Sequence, residues 1–204
     1  MTEKSMTDGN SAASDSASAS QYGMVIDTTV CVGCQTCVVS CIVAHELSEG
    51  VQWGHVLSLD GDVAYQPTGA FPNPRLAFRA TLCNHCSNPA CVAACPVGAM
   101  AKDPATGIVS VDQDECIGCG SCVEACPYEV PTLDPDTGKS SKCMLCASRV
   151  SAGQVPYCVE SCPANARYFG DLADPGSQVS ELVSAGAERW RPEEGTSPNV
   201  YYLM

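Results

Sequence analysis

The arrangement of sixteen cysteines among 204 residues is the feature that most constrains this chain. They fall into four groups of four, and in every group the first gap is two residues and the last is three. The middle gap is two in groups one and three, four in group two and eleven in group four. The groups are Cys31, Cys34, Cys37, Cys41; Cys83, Cys86, Cys91, Cys95; Cys116, Cys119, Cys122, Cys126; and Cys143, Cys146, Cys158, Cys162. This constancy indicates an internal repeat, in which the fourth copy contains an inserted loop, 147–157.

Composition restricts the other possibilities. With 6% aromatic residues the chain has little material for a large hydrophobic core, so the cysteines must help to hold it together. A net charge of −13 argues against nucleic-acid binding. Residues 1–20 are rich in Ser and Ala and predict a disordered tail. We expect no signal peptide of its own, because this tail has neither an apolar region nor paired arginines, and that favours metal ligation over disulfides.

The cysteine spacing predicts iron–sulfur clusters. Cysteines at C-x2-C-x2-C place three thiolates on the inside of one curled loop, where they can bind three corners of a cubane. Gly33 and Gly118 allow the backbone to turn closely in groups one and three. The fourth cysteine projects the other way and ligates the second cluster of a pair. Zinc bound by two separated cysteine pairs is the main chemical alternative, and it would make the chain a zinc-binding interaction module.

The order of the groups predicts how they pair. Groups two and three are joined by 96–115, which reads as a β-hairpin, so groups one and four are left to pair with each other. The predicted fold is α+β and loop-rich, with two ferredoxin-like units of two clusters each. The outer unit comprises 21–80 together with 140–172, and 81–139 is inserted into it. Residues 173–204 are expected to form a docking tail, and its last residues, 201–203, either anchor on a neighbouring subunit or fray.

This pairing gives four predicted ligand sets. They are Cys31, Cys34, Cys37 with Cys162; Cys143, Cys146, Cys158 with Cys41; Cys83, Cys86, Cys91 with Cys126; and Cys116, Cys119, Cys122 with Cys95. No nucleophile and base pair can be argued from the rest of the sequence. We therefore expect an electron carrier and not an enzyme.

From Gln21 to about Gly170 the chain resembles the four-cluster ferredoxin subunit of molybdopterin oxidoreductases of the dimethyl sulfoxide reductase family. The segments that match are QYGMVIDTTVCVGCQTC, CNHCSNPACVAACPVGAM, ECIGCGSCVEACPYEVP and KCMLCASRVSAGQVPYCVESCPANARYFGD. The resemblance implies nested pairing and four [4Fe-4S] clusters. It also implies a relay between a catalytic subunit with a molybdenum or tungsten pterin and a membrane quinol-linked subunit or other redox partner. Such a subunit is cytoplasmic or held at a membrane by its partners, and it can be exported on a partner's signal.

Several alternatives stay open at this stage. The chain could instead be a free polyferredoxin that shuttles electrons among enzymes. His85 either donates a hydrogen bond to a cluster sulfur or is a surface-loop residue. Lys142 and Arg149 either stabilise a reduced cluster or form a solvated surface pair. No chemistry is assigned to His45 and His55.

Overall fold

A computed structural model describes residues 19–59 and 67–204, so most of the expected disordered tail, 1–20, lies outside the described residues. The strands are β1 Tyr22–Asp27, β2 Gly54–Ser58, β3 Phe78–Leu82, β4 Met100–Lys102, β5 Val109–Val111, β6 Thr132–Leu133, β7 Ser140–Ser141, β8 Arg167–Asp171, β9 Glu188–Arg189 and β10 Val200–Leu203. The helices are α1 Thr36–Ala44, α2 Ala90–Ala93, α3 Ser121–Ala125, α4 Ala147–Ser151, α5 Tyr157–Glu160, α6 Gln178–Ser184 and a 3₁₀ turn, Pro192–Glu194. The predicted mixture of helices and strands is confirmed. No helix within the described ranges combines the length and apolar content needed to cross a bilayer.

The largest sheet has the strand order β8-β1-β10-β9. Strand β1 runs antiparallel to β8 and parallel to β10, so that Met24 lies opposite both Phe169 and Val200. Met24 and Ile26 face the main core, whereas Val25 faces α6 and packs on Val179. Because both faces of β1 are covered, its apolar run is continuous instead of alternating.

The C-terminal residues correct one expectation. Residues 173–204 form α6, β9 and β10, and β10 hydrogen-bonds along β1 within the same chain. The side chain of Tyr202 is buried, and the Thr28 hydroxyl donates to the Leu203 carbonyl at 2.6 Å. The interpretation of 201–203 as a frayed end was therefore wrong, and the docking role of 173–204 stays a prediction. The apolar residues of 200–203 fill the place beside β1 in the chain's own sheet.

Short hairpins occupy the middle of the chain. The hairpin predicted within 96–115 is confirmed, because β4 and β5 pair with Met100 opposite Val111. A second hairpin pairs β6 with β7. The matching sequences DPATG and DPDTG form their turns, and in each turn the first aspartate accepts backbone N–H groups two or three residues further on. These turns hold the cysteine groups at fixed positions along the fold.

All four cysteine groups begin with the same backbone curl. The third residue of each first C-x-x-C has a positive φ: 68° at Gly33, 42° at His85, 68° at Gly118 and 52° at Leu145. Only glycine adopts this conformation without strain, and at Gly118 a Cβ would also collide with the carbonyl oxygen of Gly138. His85 and Leu145 are almost completely buried, and their surroundings hold them in the strained conformation.

Gly118 and Gly138 provide a matched pair for testing this curl. Both have a φ of 68°, but a Cβ at Gly138 would meet nothing within 4 Å. We expect Gly138→Ala to lower the free energy of unfolding by about 1–2 kcal/mol, the cost of the left-handed conformation. Gly118→Ala should cost about 1–3 kcal/mol more, because it is also overpacked. Anaerobic urea unfolding measures both, and equal losses would contradict the close approach of the two loops.

Candidate iron–sulfur sites

The sixteen cysteines line four separate cavities, named here A to D. Each cavity is lined by three cysteines of one group and one from another. The four sets are Cys31, Cys34, Cys37 and Cys162 in cavity A; Cys41, Cys143, Cys146 and Cys158 in cavity B; Cys83, Cys86, Cys91 and Cys126 in cavity C; and Cys95, Cys116, Cys119 and Cys122 in cavity D. Each set has the same four members as one of the ligand sets predicted from the cysteine spacing. In the order A to D the space free of protein atoms, including space open to solvent, is about 360, 300, 370 and 320 Å³.

Short helices divide their cysteines between neighbouring cavities. On α1, Cys37 lines cavity A and Cys41, one turn later, lines cavity B. Four residues advance a helix by about 6 Å, so each thiol reaches a different cavity. Cys158 on α5 and Cys162 just after it serve cavities B and A in the same way, and α1 packs against α5. Helices α2 and α3 repeat the arrangement for cavities C and D.

The cavity walls disfavour charged thiolates unless a cation is present. Burial raises the pKa of Cys41 and of Cys91 to about 12 and that of Cys86 to about 11, and it raises the pKa of Cys143 well above its ordinary value. No Asp or Glu among the described residues lines any of the four cavities. A coordinating cation deprotonates a thiol outright, and thiolates are the ligands that iron–sulfur clusters and zinc select. The donor sets therefore fit a thiolate-bound metal centre.

Backbone N–H groups point at cysteine sulfurs around the cavities. The N–H groups of Ala166, Leu145, Met100 and Ser140 donate to Cys162, Cys143, Cys95 and Cys116 respectively, each at 3.4 Å. Such hydrogen bonds favour the charged form of sulfur and tune the potential of an iron–sulfur cluster. In cavity C the side-chain Nδ2 of Asn84 is buried and has no partner among the described residues, so it is a donor available to a bound group.

Two cysteines are exposed, and they lie in cavities A and D. A hydrogen bond with the Thr36 hydroxyl, at 3.3 Å, lowers the pKa of Cys34. Ser121 does the same for Cys119 at 3.4 Å. The two motifs are thus equivalent in detail, with a hydroxyl two residues after the exposed cysteine. Cavities A and D each reach the surface at this cysteine.

His85 belongs to group two but faces a cysteine of cavity B. Its Nδ1 accepts the Val109 N–H at 2.9 Å, so a neutral ring has its proton on Nε2, which lies 4.0 Å from the Cys143 sulfur. Burial, followed by the charges of Lys142 and Lys102, lowers the pKa of His85 well below its ordinary value. The residue is 1% exposed, so the surface-loop interpretation was wrong. The side chain is placed instead as a neutral donor toward a cysteine sulfur.

The two basic residues of group four differ from each other. Lys142 is completely buried, lines cavity C and donates to the carbonyls of Val109 and Cys143. Arg149 pairs with Glu160 at 2.7 Å. The interpretation of Lys142 and Arg149 as a solvated surface pair was therefore wrong for Lys142. The charge of Arg149 is compensated by the Glu160 carboxylate.

Sequence reasoning missed two residues that contact cysteines. His45 was given no chemistry, yet its Nε2 lies 3.3 Å from the Cys146 sulfur. Arg167 is buried at the start of β8 and contacts cysteines of both cavities A and B. The available signal for Arg167 was a charged residue at the start of a strand, RYFGD, that directly follows the last cysteine group.

Comparisons with known proteins agree with this arrangement. Residues 74–172 match the 4Fe-4S dicluster domain. The chain is 40% identical to the Protein NrfC homolog of Haemophilus influenzae, in an alignment covering 90% of this chain and 80% of the relative. It is 39% identical to a tetrathionate reductase subunit of Salmonella typhimurium, over 90% and 72% of the two chains. It is 36% identical to the iron-sulfur subunit of a putative dimethyl sulfoxide reductase of Halobacterium salinarum, over 89% and 78%.

The alignments with the three relatives cover most of both chains. The domain match, 74–172, contains cysteine groups two to four. The chain therefore belongs to the family of ferredoxin-like iron–sulfur subunits of molybdopterin oxidoreductases, and its role is electron transfer and not catalysis.

Proposed function

We propose that this chain binds four [4Fe-4S] clusters, one in each of cavities A to D. We propose further that it relays electrons between a molybdopterin catalytic subunit and a membrane quinol-linked subunit or another redox partner. When bound, the clusters supply one-electron redox chemistry. The observation that best supports this function is the distribution of sixteen cysteines into four sets of four, each drawn from two groups.

The cavity sizes and walls favour clusters over zinc. A zinc ion draws four thiolates to one point, with zinc–sulfur distances of about 2.3 Å. Here the four cysteines of each set line one cavity, but among the described residues no three of them converge on a position for a single ion, which suits a centre of several atoms. Backbone donors directed at sulfur are also the means by which proteins tune iron–sulfur potentials.

Contacts between cavities support a linear relay. Cavities A and B share α1 and α5, and cavities C and D share α2 and α3. His85 and the proximity of Cys83 to Cys143 connect cavities C and B. We therefore propose the order A–B–C–D, with A and B in the outer unit, 21–80 and 140–172, and C and D in the inserted unit, 81–139. Strand β3 spans the proposed boundary between the two units.

The ends of this relay favour a fixed subunit over a free shuttle. At cavity A the exposed Cys34 lies beside Val32, whose exposed fraction is 61%, and at cavity D the exposed Cys119 lies beside Ile117 at 64%. Exposed apolar side chains beside a redox site suit burial against a partner. The relatives named as reductase subunits suggest that one such partner is the catalytic subunit of a reductase.

Iron counts in double variants test the crossed ligand sets. The wild-type chain should contain about sixteen iron and sixteen sulfide per chain. Cys116→Ala should remove the cluster of cavity D, or about four iron atoms. Adding Cys95→Ala should remove no more iron, because Cys95 lines the same cavity. Adding Cys126→Ala should remove about four more iron atoms, because Cys126 lines cavity C.

Anaerobic iron and acid-labile sulfide analysis, with electron paramagnetic resonance of the reduced proteins, measures these losses. If each cluster were instead bound by the four cysteines of one group, Cys126 would share a cluster with Cys116 and Cys95 would not. Adding Cys126→Ala would then remove no more iron, and adding Cys95→Ala would remove about four more iron atoms. A chain that contains zinc and no labile sulfide would overturn the proposed function itself.

Two neutral substitutions test the ends of the relay. Val32→Asn and Ile117→Asn each remove one exposed apolar side chain and add no charge. Burying such a side chain contributes about 1.5–3 kcal/mol, so we expect each variant to weaken one partner's binding about tenfold or more. Phe71→Asn is the control, since Phe71 is 94% exposed and lines none of the four cavities. Binding titrations against each partner should assign the two ends to different partners, and loss of the same partner in both variants would contradict a two-ended relay.

A further inference from the structure

Arg167 lies between cavities A and B. The residue is 7% exposed and lines cavity A, and its guanidinium interacts electrostatically with the sulfurs of Cys37 and Cys158. Cys37 lines cavity A and Cys158 lines cavity B. One side chain therefore contacts a predicted ligand of each of two neighbouring clusters.

The charge of Arg167 has no carboxylate to balance it. Within the described ranges the guanidinium forms no ion pair with Asp or Glu, and its other close neighbours are the Met24 sulfur, at 3.5 Å, and the phenol of Tyr202. Removing an arginine from water without a counter-charge is costly. With clusters bound, the negative charge that balances Arg167 is that of the thiolates and sulfides in the two cavities.

We propose that Arg167 is a shared cation that raises the reduction potentials of both outer clusters. This inference rests on the proposed binding of clusters in cavities A and B. In each transfer the accepting site gains one electron from its neighbour in the relay and later passes it on, while Arg167 keeps its proton. A fixed positive charge stabilises the more negative, reduced state. The sequence pattern suggested that Lys142 and Arg149 stabilise a reduced cluster. Arg167 is placed to stabilise the reduced state at two sites.

Redox titration of charge variants tests the proposal. Arg167→Met removes the charge and keeps much of the apolar stem. We expect two of the four potentials to fall, each by at least a tenfold change in the reduction equilibrium, or 59 mV for one electron. Arg167→Lys keeps the charge and should show less than half of each fall, which a purely structural role would not predict. The potentials are read by anaerobic titration with electron paramagnetic resonance detection.

Arg149→Met is the matched control. Arg149 is also close to cavity B, since it stacks on Tyr157, which lines that cavity, but its charge is compensated by Glu160. We expect it to shift no potential by as much as a twofold change in the equilibrium. Cavities C and D serve as internal references, because Arg167 lines neither. If Arg167→Met does not retain its iron, Arg167→Gln replaces it, and the same two falls are expected.

The outcomes separate this inference from the proposed function. Wild-type protein without about sixteen iron and sixteen sulfide would overturn the proposed function. With that content intact, unchanged potentials, a fall at only one site, or equal falls at all four sites would each overturn the shared role of Arg167. Falls confined to the two outer sites, and largely restored by lysine, would support it.

Discussion

The burial of thiols around four small cavities is the constraint on which the rest of this structure depends. Sixteen cysteines serve as cavity lining, and burial alone would keep many of them protonated. Their charged form needs positive charge in the cavity, which thiolate-bound iron supplies. The fold accordingly consists of short helices and hairpins that direct the cysteine sulfurs into the cavities. A chain with so few aromatic residues can be ordered in this way because the metal centres replace part of a hydrophobic core.

Charge is distributed unevenly between the surface and the interior. The chain has a net charge of −13, yet Lys142 and Arg167 are buried beside the cysteines, and no carboxylate lines the cavities in the described parts of the chain. The interior cations face sulfur and backbone carbonyls, whereas the ion pair of Arg149 with Glu160 joins the inserted segment of group four to the end of α5. This separation places positive charge where negative charge accumulates during reduction and keeps compensating acids away from it.

Local patterns in the sequence were sufficient for features that local chemistry determines. Turn residues predicted the β4–β5 hairpin, whereas the ligand sets that the cysteine gaps predicted stay a prediction. The place of β10 was not predictable, because its pairing with β1 joins residues about 175 positions apart, as in the contact between Thr28 and Leu203. The role of His85 was foreseen only as one of two alternatives. Arg167 was missed, because its neighbours come from separate cysteine groups and β1, and no single segment of the sequence contains them.

The parallel pairing of β1 with β10 and the crossed cysteine sets also constrain the order in which parts of the fold can be completed during translation. Every thiol of cavities C and D has been translated by residue 126, whereas cavity A waits for Cys162 and cavity B for Cys158. Strand β1 is translated among the first ordered segments but obtains its parallel neighbour only at residues 200–203. Cavities C and D can therefore be completed before β1 pairs with β10. Until translation reaches β10, that edge of β1 lacks its parallel neighbour and presents backbone groups to which another strand could pair.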